Sequence, residues 1–211
     1  MNTTHFRDKV IWMSSKPSRV KGVAELIVDT ALAQPLSKPP CFVFDVDETL
    51  LINHPTLDNY FRTQPVGKEL FDMAVSRNIP IFVVTARRKS KWTMAFVIAQ
   101  LKRLGYQTDA IKGFYMVPKE HDDYDDRGGA GYKKRARQII GEQYHILLNC
   151  GDRWGDCVLH HDNASDKGTV AEKIKYDGRY VGLTSAEPHI LHSIKFPEEH
   201  PTDAILPKSL R

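Results

Sequence analysis

Cysteine is scarce in this sequence, long apolar runs are missing, and neither charge sign dominates; each shortage removes a class of protein. Cys41, Cys150 and Cys157 are the three cysteines among 211 residues, an odd number without metal-site spacing. Buried free thiols in a reducing compartment explain them better than a disulfide framework does. No apolar run is long enough to span a bilayer, and Val10 to Met13 is too short for the core of a signal peptide. An intracellular, cytoplasmic protein without a membrane partner is expected. The net charge is +4 and the isoelectric point near 8.9. That balance suits an anionic ligand, but the surplus is too small and too dispersed to specify nucleic acid.

A hydrophobic fraction of 41% and a charged fraction of 27% are those of a globular protein. The length fits one α/β domain with a modest extension. Its most informative stretch is Phe42 to Leu51, FVFDVDETLL. Phe42 to Phe44 are apolar and lead straight into Asp45 and Asp47, as a buried parallel strand does when it ends at an active-site edge. Crowded carboxylates stay ionised only with a cation between them or a proton on one. Either arrangement serves phosphoryl transfer: one carboxylate attacks phosphorus, a divalent cation offsets the phosphate charge, and a second carboxyl moves a proton. The same residue types also build an Asx turn and a helix cap, so this stretch alone leaves both readings open.

DVDETLL resembles the first motif, D-x-D-x-T, of the haloacid dehalogenase (HAD) superfamily of aspartate-nucleophile phosphatases. Its Glu48-Thr49 pair is similar to the acid phosphatase branch, subfamily IIIB, with class B, class C and plant vegetative-storage-type members. Three further segments fit that resemblance in order. The run Ile79 to Thr85 reads as a strand, and the resemblance makes Thr85 and the amide of Ala86 the phosphate-binding second motif. GYKKRARQII, Gly131 to Ile140, opens a helix in which Lys133, rather than Lys134, matches the third-motif lysine, with Arg137 completing K-x-x-x-R. HILLNC, His145 to Cys150, reads as a strand followed by GDRWGDC, similar to the fourth motif G-D-x-x-x-D.

The resemblance implies a Rossmann-like, doubly wound parallel sheet of the HAD type. It also implies Mg²⁺ held by Asp45, the backbone carbonyl of Asp47 and Asp152, with Asp156 orienting the metal's waters. Asp45 and Asp47 become the catalytic pair, and Thr85, Ala86 and Lys133 hold the phosphate. His54, Arg87, Arg153 and Trp154 are expected on the substrate rim. The insertion at residues 51–66 is too short for a folded cap domain, so a minimal cap and an open site are expected. Residues 1–40 read as an N-terminal helical extension, 41–187 as the phosphatase domain, and 188–211, with four prolines, as an extended tail. Tyr180 to Thr184 reads as the last strand, and the adjacent His160, His161 and Asp162 as a surface loop.

The expected activity is Mg²⁺-dependent hydrolysis of small phosphorylated metabolites or nucleotides through an aspartyl-phosphate. The basic residues Arg87 to Lys91 and Lys133 to Arg137 keep a polynucleotide 3′-phosphatase open as an alternative. A non-catalytic phosphate-binding or storage role is the other; an intact Asp45 argues against it.

Overall fold

The computed structural model describes residues 10–53, 61–118, 130–157, 178–184 and 189–197. In chain order the elements are β1 (Val10–Ser14), α1 (Pro17–Leu32), β2 (Pro40–Phe44), β3 (Leu51–Asn53), β4 (Phe61–Thr63), α2 (Pro65–Ser76) and β5 (Ile81–Arg88). Then follow α3 (Lys91–Arg103), β6 (Ile111–Val117), α4 (Ala130–Gln143), β7 (His145–Gly151), α5 (Trp154–Cys157), β8 (Tyr180–Thr184) and β9 (Ile190–Lys195).

Among the described residues, seven strands form one sheet in the order β1-β8-β9-β7-β2-β5-β6, and β3 pairs with β4 in a separate hairpin. From β9 to β6 every pairing is parallel, while β8 runs antiparallel to both β9 and β1. Strand alternation divides the core into two layers. Phe42 and Phe44 pack with Val20 and Val28 of α1, Leu70 of α2 and Leu101 of α3. Cys41 and Val43 face the other way, toward Ala136 and Ile140 of α4. Helices therefore cover both faces, the doubly wound arrangement expected from the sequence.

Chain direction across the sheet reverses at β2: β5 and β6 lie to one side of it, β7 and β9 to the other. Such a reversal leaves a crevice beyond the carboxyl ends of the two diverging strands. Asp45 stands there, its backbone N–H bonded to Cys150 O of β7 at 2.9 Å.

Several boundaries depart from the sequence expectations. The second-motif strand starts at Ile81 and runs past Thr85 to Arg88, because its last residues still pair with the edge strand β6 (Arg88 with Val117, after a register shift). β1 lies within the expected helical extension, and β9 within the segment expected as an extended tail. Tyr180 to Thr184 is a strand but not the last, since β9 follows it and inserts between β7 and β8. The short insertion contributes the hairpin β3–β4; residues 54–60, His54 among them, lie outside the described residues, as do His160, His161 and Asp162. No described helix is long and apolar enough to cross a membrane.

Candidate active site

The turn after β2 folds tightly on itself. Val46 O accepts from the backbone N–H groups of Thr49, Leu50 and Leu51, and Glu48 takes a left-handed φ of 55°. The first turn of α2 presses against this loop: a Cβ on Gly67 would lie 1.8 Å from Thr49 O, so only glycine fits. Gln64 caps that helix, its Oε1 accepting from the N–H groups of Val66 and Gly67. Asp45 and Asp47 are thus fixed by a turn that is itself wedged from below.

Gly151 has an equally local reason. A Cβ there would come within 2.3 Å of Asp156 Cβ, so the glycine of G-D-x-x-x-D lets the second aspartate of that motif fold back over the end of β7. Asp45, Asp152 and Asp156 are all buried, and each offers a carboxylate oxygen within 4.8 Å of the other two.

Lys133 enters this nest from α4. Its Nζ donates to Asp45 Oδ2 and to Asp156 Oδ1, each at 2.8 Å, and the residue is only 3% exposed. Lys134, one position on, is half-buried and belongs to a different face of α4. Arg137 is one turn further along on the Lys133 face. Its Nη2 donates to Asp156 Oδ1 at 3.2 Å and its Nε to Asn149 Oδ1 at 2.9 Å. Asn149 Nδ2 in turn donates to Asp156 O and to Ser193 Oγ of β9.

This arrangement sets the charge states. Burial pushes the Asp45 carboxyl up to about 6, with Lys133 offsetting part of that rise and Asp156 and Asp47 adding to it. Burial also lifts Asp152 well above the usual carboxylate range, with Asp45 and Asp156 pushing the same way. Asp156 is buried as deeply, yet Lys133 and Arg137 overcome that penalty and hold it below its ordinary value. Lys133 is desolvated too, but the two carboxylates it bridges keep it charged. Asp156 is therefore a fixed anion with both oxygens occupied by Lys133, Arg137 and the Arg153 N–H. Asp45 Oδ1 is the contrasting atom, buried and without a hydrogen-bond partner among the described residues. An unsatisfied carboxylate oxygen beside a second raised carboxyl, Asp152, suits a hard divalent cation. The residues present fit the expected metal.

Asp47 stands apart from the nest, its side chain 38% exposed. Arg87 grips it with a fork, Nη2 to Oδ1 at 2.6 Å and Nε to Oδ2 at 2.9 Å, and Asn53 Nδ2 donates to Oδ1 at 2.6 Å. Burial alone would raise this carboxyl; the bonds and charge of Arg87 reverse that and hold it low.

Thr85 is fully buried on β5, two residues past the last β2–β5 pair, and its Oγ1 accepts the Arg87 N–H at 3.3 Å. Ala86 follows it on the same strand. Of the expected rim, Arg153 is exposed, whereas Trp154 is buried with Lys195 Nζ 4.9 Å from its ring centre. Arg87, read from sequence as rim, spends its guanidinium on Asp47 and on Gln100 Oε1 of α3. Asn149, Ser193 and Gln100 carried no sequence signal, since a single amide or hydroxyl on a strand or helix belongs to no motif spacing. Arg137 was visible through its four-residue spacing from Lys133.

Residues 62–198 match the family model described as HAD superfamily, subfamily IIIB (acid phosphatase), a match that begins beyond Asp45 and Asp47 and takes in β9. No curated protein matches the sequence. Among solved structures the chain is similar to the class C acid phosphatase from Bacillus anthracis, with a TM-score of 0.60 at 20% identity over 87% of this chain and 76% of that one. The same Bacillus anthracis enzyme with tungstate bound gives 0.59 at 20% identity over the same shares.

Proposed function

This chain belongs to subfamily IIIB, the acid phosphatases of the haloacid dehalogenase superfamily, and from that premise we propose that it hydrolyses phosphate monoesters with Mg²⁺ through an aspartyl-phosphate. Asp45, the Asp47 carbonyl and Asp152 would hold the cation, which supplies charge neutralisation at the phosphoryl oxygens. One carboxylate oxygen of Asp45 forms the bond to phosphorus while the bond to the leaving oxygen breaks, and Asp47 gives that oxygen its proton. Water then attacks the same phosphorus, Asp47 takes the water's proton, and inorganic phosphate leaves as the Asp45 carboxylate is restored. An ester entering as its monoanion, below its second pKa of about 6, brings the proton that the anionic Asp47 needs.

Lys133, the Thr85 hydroxyl and the Ala86 amide stabilise the equatorial oxygens in both half-reactions. Asp156 holds Lys133 in place. The observation that carries this reading is the buried, unpartnered Asp45 Oδ1 beside a lysine already tied to its other oxygen. A minimal hairpin cap suits small phosphorylated metabolites or nucleotides.

The test is phosphate release from a panel of monoesters, including nucleotides and a 3′-phosphorylated oligonucleotide, with Mg²⁺ or EDTA, for wild type and Asp45→Asn. Metal-dependent turnover that the variant lacks is expected. Turnover that survives in Asp45→Asn would refute the covalent mechanism. Preference for the oligonucleotide, lost steeply with salt, would move the substrate class to polynucleotide ends.

A further inference from the structure

Asp47 is half-exposed, and among the described residues the side-chain hydrogen bonds it accepts come from two directions. Arg87 approaches from β5 and is held on its far side by the buried Gln100 of α3, Nη1 to Oε1 at 2.8 Å. Asn53 approaches from the end of β3, in the cap hairpin. Asn53 is itself anchored: its backbone N–H donates to Glu48 Oε1 at 3.0 Å. Glu48 is the residue with the left-handed backbone, a conformation costly for a side-chain-bearing residue and kept where surrounding contacts fix it. Its carboxylate reaches forward to the hairpin, so the loop carrying Asp47 and the hairpin beside it are locked to each other.

We infer that Asn53 and Arg87 are positioning residues that clamp Asp47 from two sides, joining the cap hairpin and α3 to the carboxylate that serves the leaving group. The inference rests on the role proposed above for Asp47. A half-exposed carboxylate without such a clamp rotates into solvent, whereas proton transfer needs the donor oxygen within about 2.6–3.2 Å of the leaving oxygen. The clamp therefore bears on substrate choice. Alkyl phosphates, whose leaving alkoxide is a strong base, depend on a placed proton donor; aryl phosphates depend on it much less.

The experiment measures kcat/KM with saturating Mg²⁺ on glycerol phosphate and p-nitrophenyl phosphate, for wild type, Asp47→Asn, Arg87→Met, Arg87→Lys and Asn53→Leu. kcat/KM covers the steps through alcohol release, so later hydrolysis of the aspartyl-phosphate does not blur the comparison. In the Arg87→Met and Asn53→Leu variants the alkyl-to-aryl ratio is expected to fall about 10- to 100-fold, the size of effect a misplaced catalytic group produces. Arg87→Lys keeps the charge but not the fork, and is expected to restore only part of the ratio. Equal losses on both substrates, or a wild-type ratio in Arg87→Lys, would overturn the clamp. If Asp47→Asn itself leaves the ratio unchanged, the proton-donor role of Asp47 fails; if it lowers the ratio and the clamp variants do not, the clamp alone fails. Circular-dichroism melts accompany each variant, and Asn53→Leu carries the test should Arg87→Met not fold.

Discussion

Asp156 and Asp47 are both carboxylates held by an arginine and both stay ionised, yet one is sealed in the core and the other stands at the opening of the site. Asp156 is 2% exposed, and its partners, Lys133 and Arg137, are as deeply buried. Asp47 is 38% exposed and its partner Arg87 is 19% exposed. The buried pair fixes charge permanently, since removing one partner strands the other in a medium that cannot solvate it. The exposed pair fixes direction, at low energetic stake, and leaves the carboxylate open to solvent. One site thus contains a buried electrostatic frame and a carboxylate at its opening.

Substitutions can break that division, beginning with the largest effect. Asp45→Asn is expected to abolish phosphate release while raising the melting temperature of the metal-free protein at pH 7, because it removes a carboxylate that the nest destabilises when ionised. Asp47→Asn is expected to lower kcat/KM on alkyl phosphates by about 10²–10⁴, the range for general acid–base catalysis, with a melting temperature close to wild type. Lys133→Met strands Asp45 and Asp156 and should cost about 3–5 kcal/mol in urea unfolding. Lys134→Ala, outside the nest, should stay within about 0.5 kcal/mol of wild type.

The smallest effect is the pH response without metal. Asp45, pushed up to about 6 from 3.8, binds more protons in the fold than in the unfolded chain between those values. Its contribution to stability is therefore full below the lower value and is lost as pH rises through about 6. Asp152, also raised, adds to the loss. Asp156 runs the other way: its lowered carboxyl contributes stability above its ordinary range, lost only in stronger acid. A metal-free melt should fall from pH 5 to pH 7, and Mg²⁺ should reverse that fall because binding replaces the protons. A metal-free melt that rises over that window would mean the nest is less crowded than its geometry indicates.

The parts of this molecule legible in the sequence are those where one residue's neighbours in the chain explain it. Phe42 to Asp47 announces a strand running into acids, Lys133 and Arg137 share a helix face, and Gly151 precedes its aspartate for a steric reason. β9 escaped because ILHSIK, two apolar residues followed by two polar ones, lacks the alternation of a half-buried strand and lies among prolines. Its buried polar residues, Ser193 and Lys195, make sense only beside Asn149 and Trp154. β1 escaped because a short run ahead of a long helix has no partner until β8 arrives. The grip of Arg87 on Asp47 spans 40 residues of chain, and no local pattern encodes it.

The position of β9 also bears on the order in which the protein matures during synthesis. A chain synthesised as far as residue 184 already contains all four aspartate, threonine and lysine motifs, but not the strand that pairs with β7 on the side away from β2. Ser193, which accepts from the same Asn149 amide that donates to Asp156 O, is added only afterwards. The motif residues are therefore translated before the strand that completes the hydrogen bonds around Asn149.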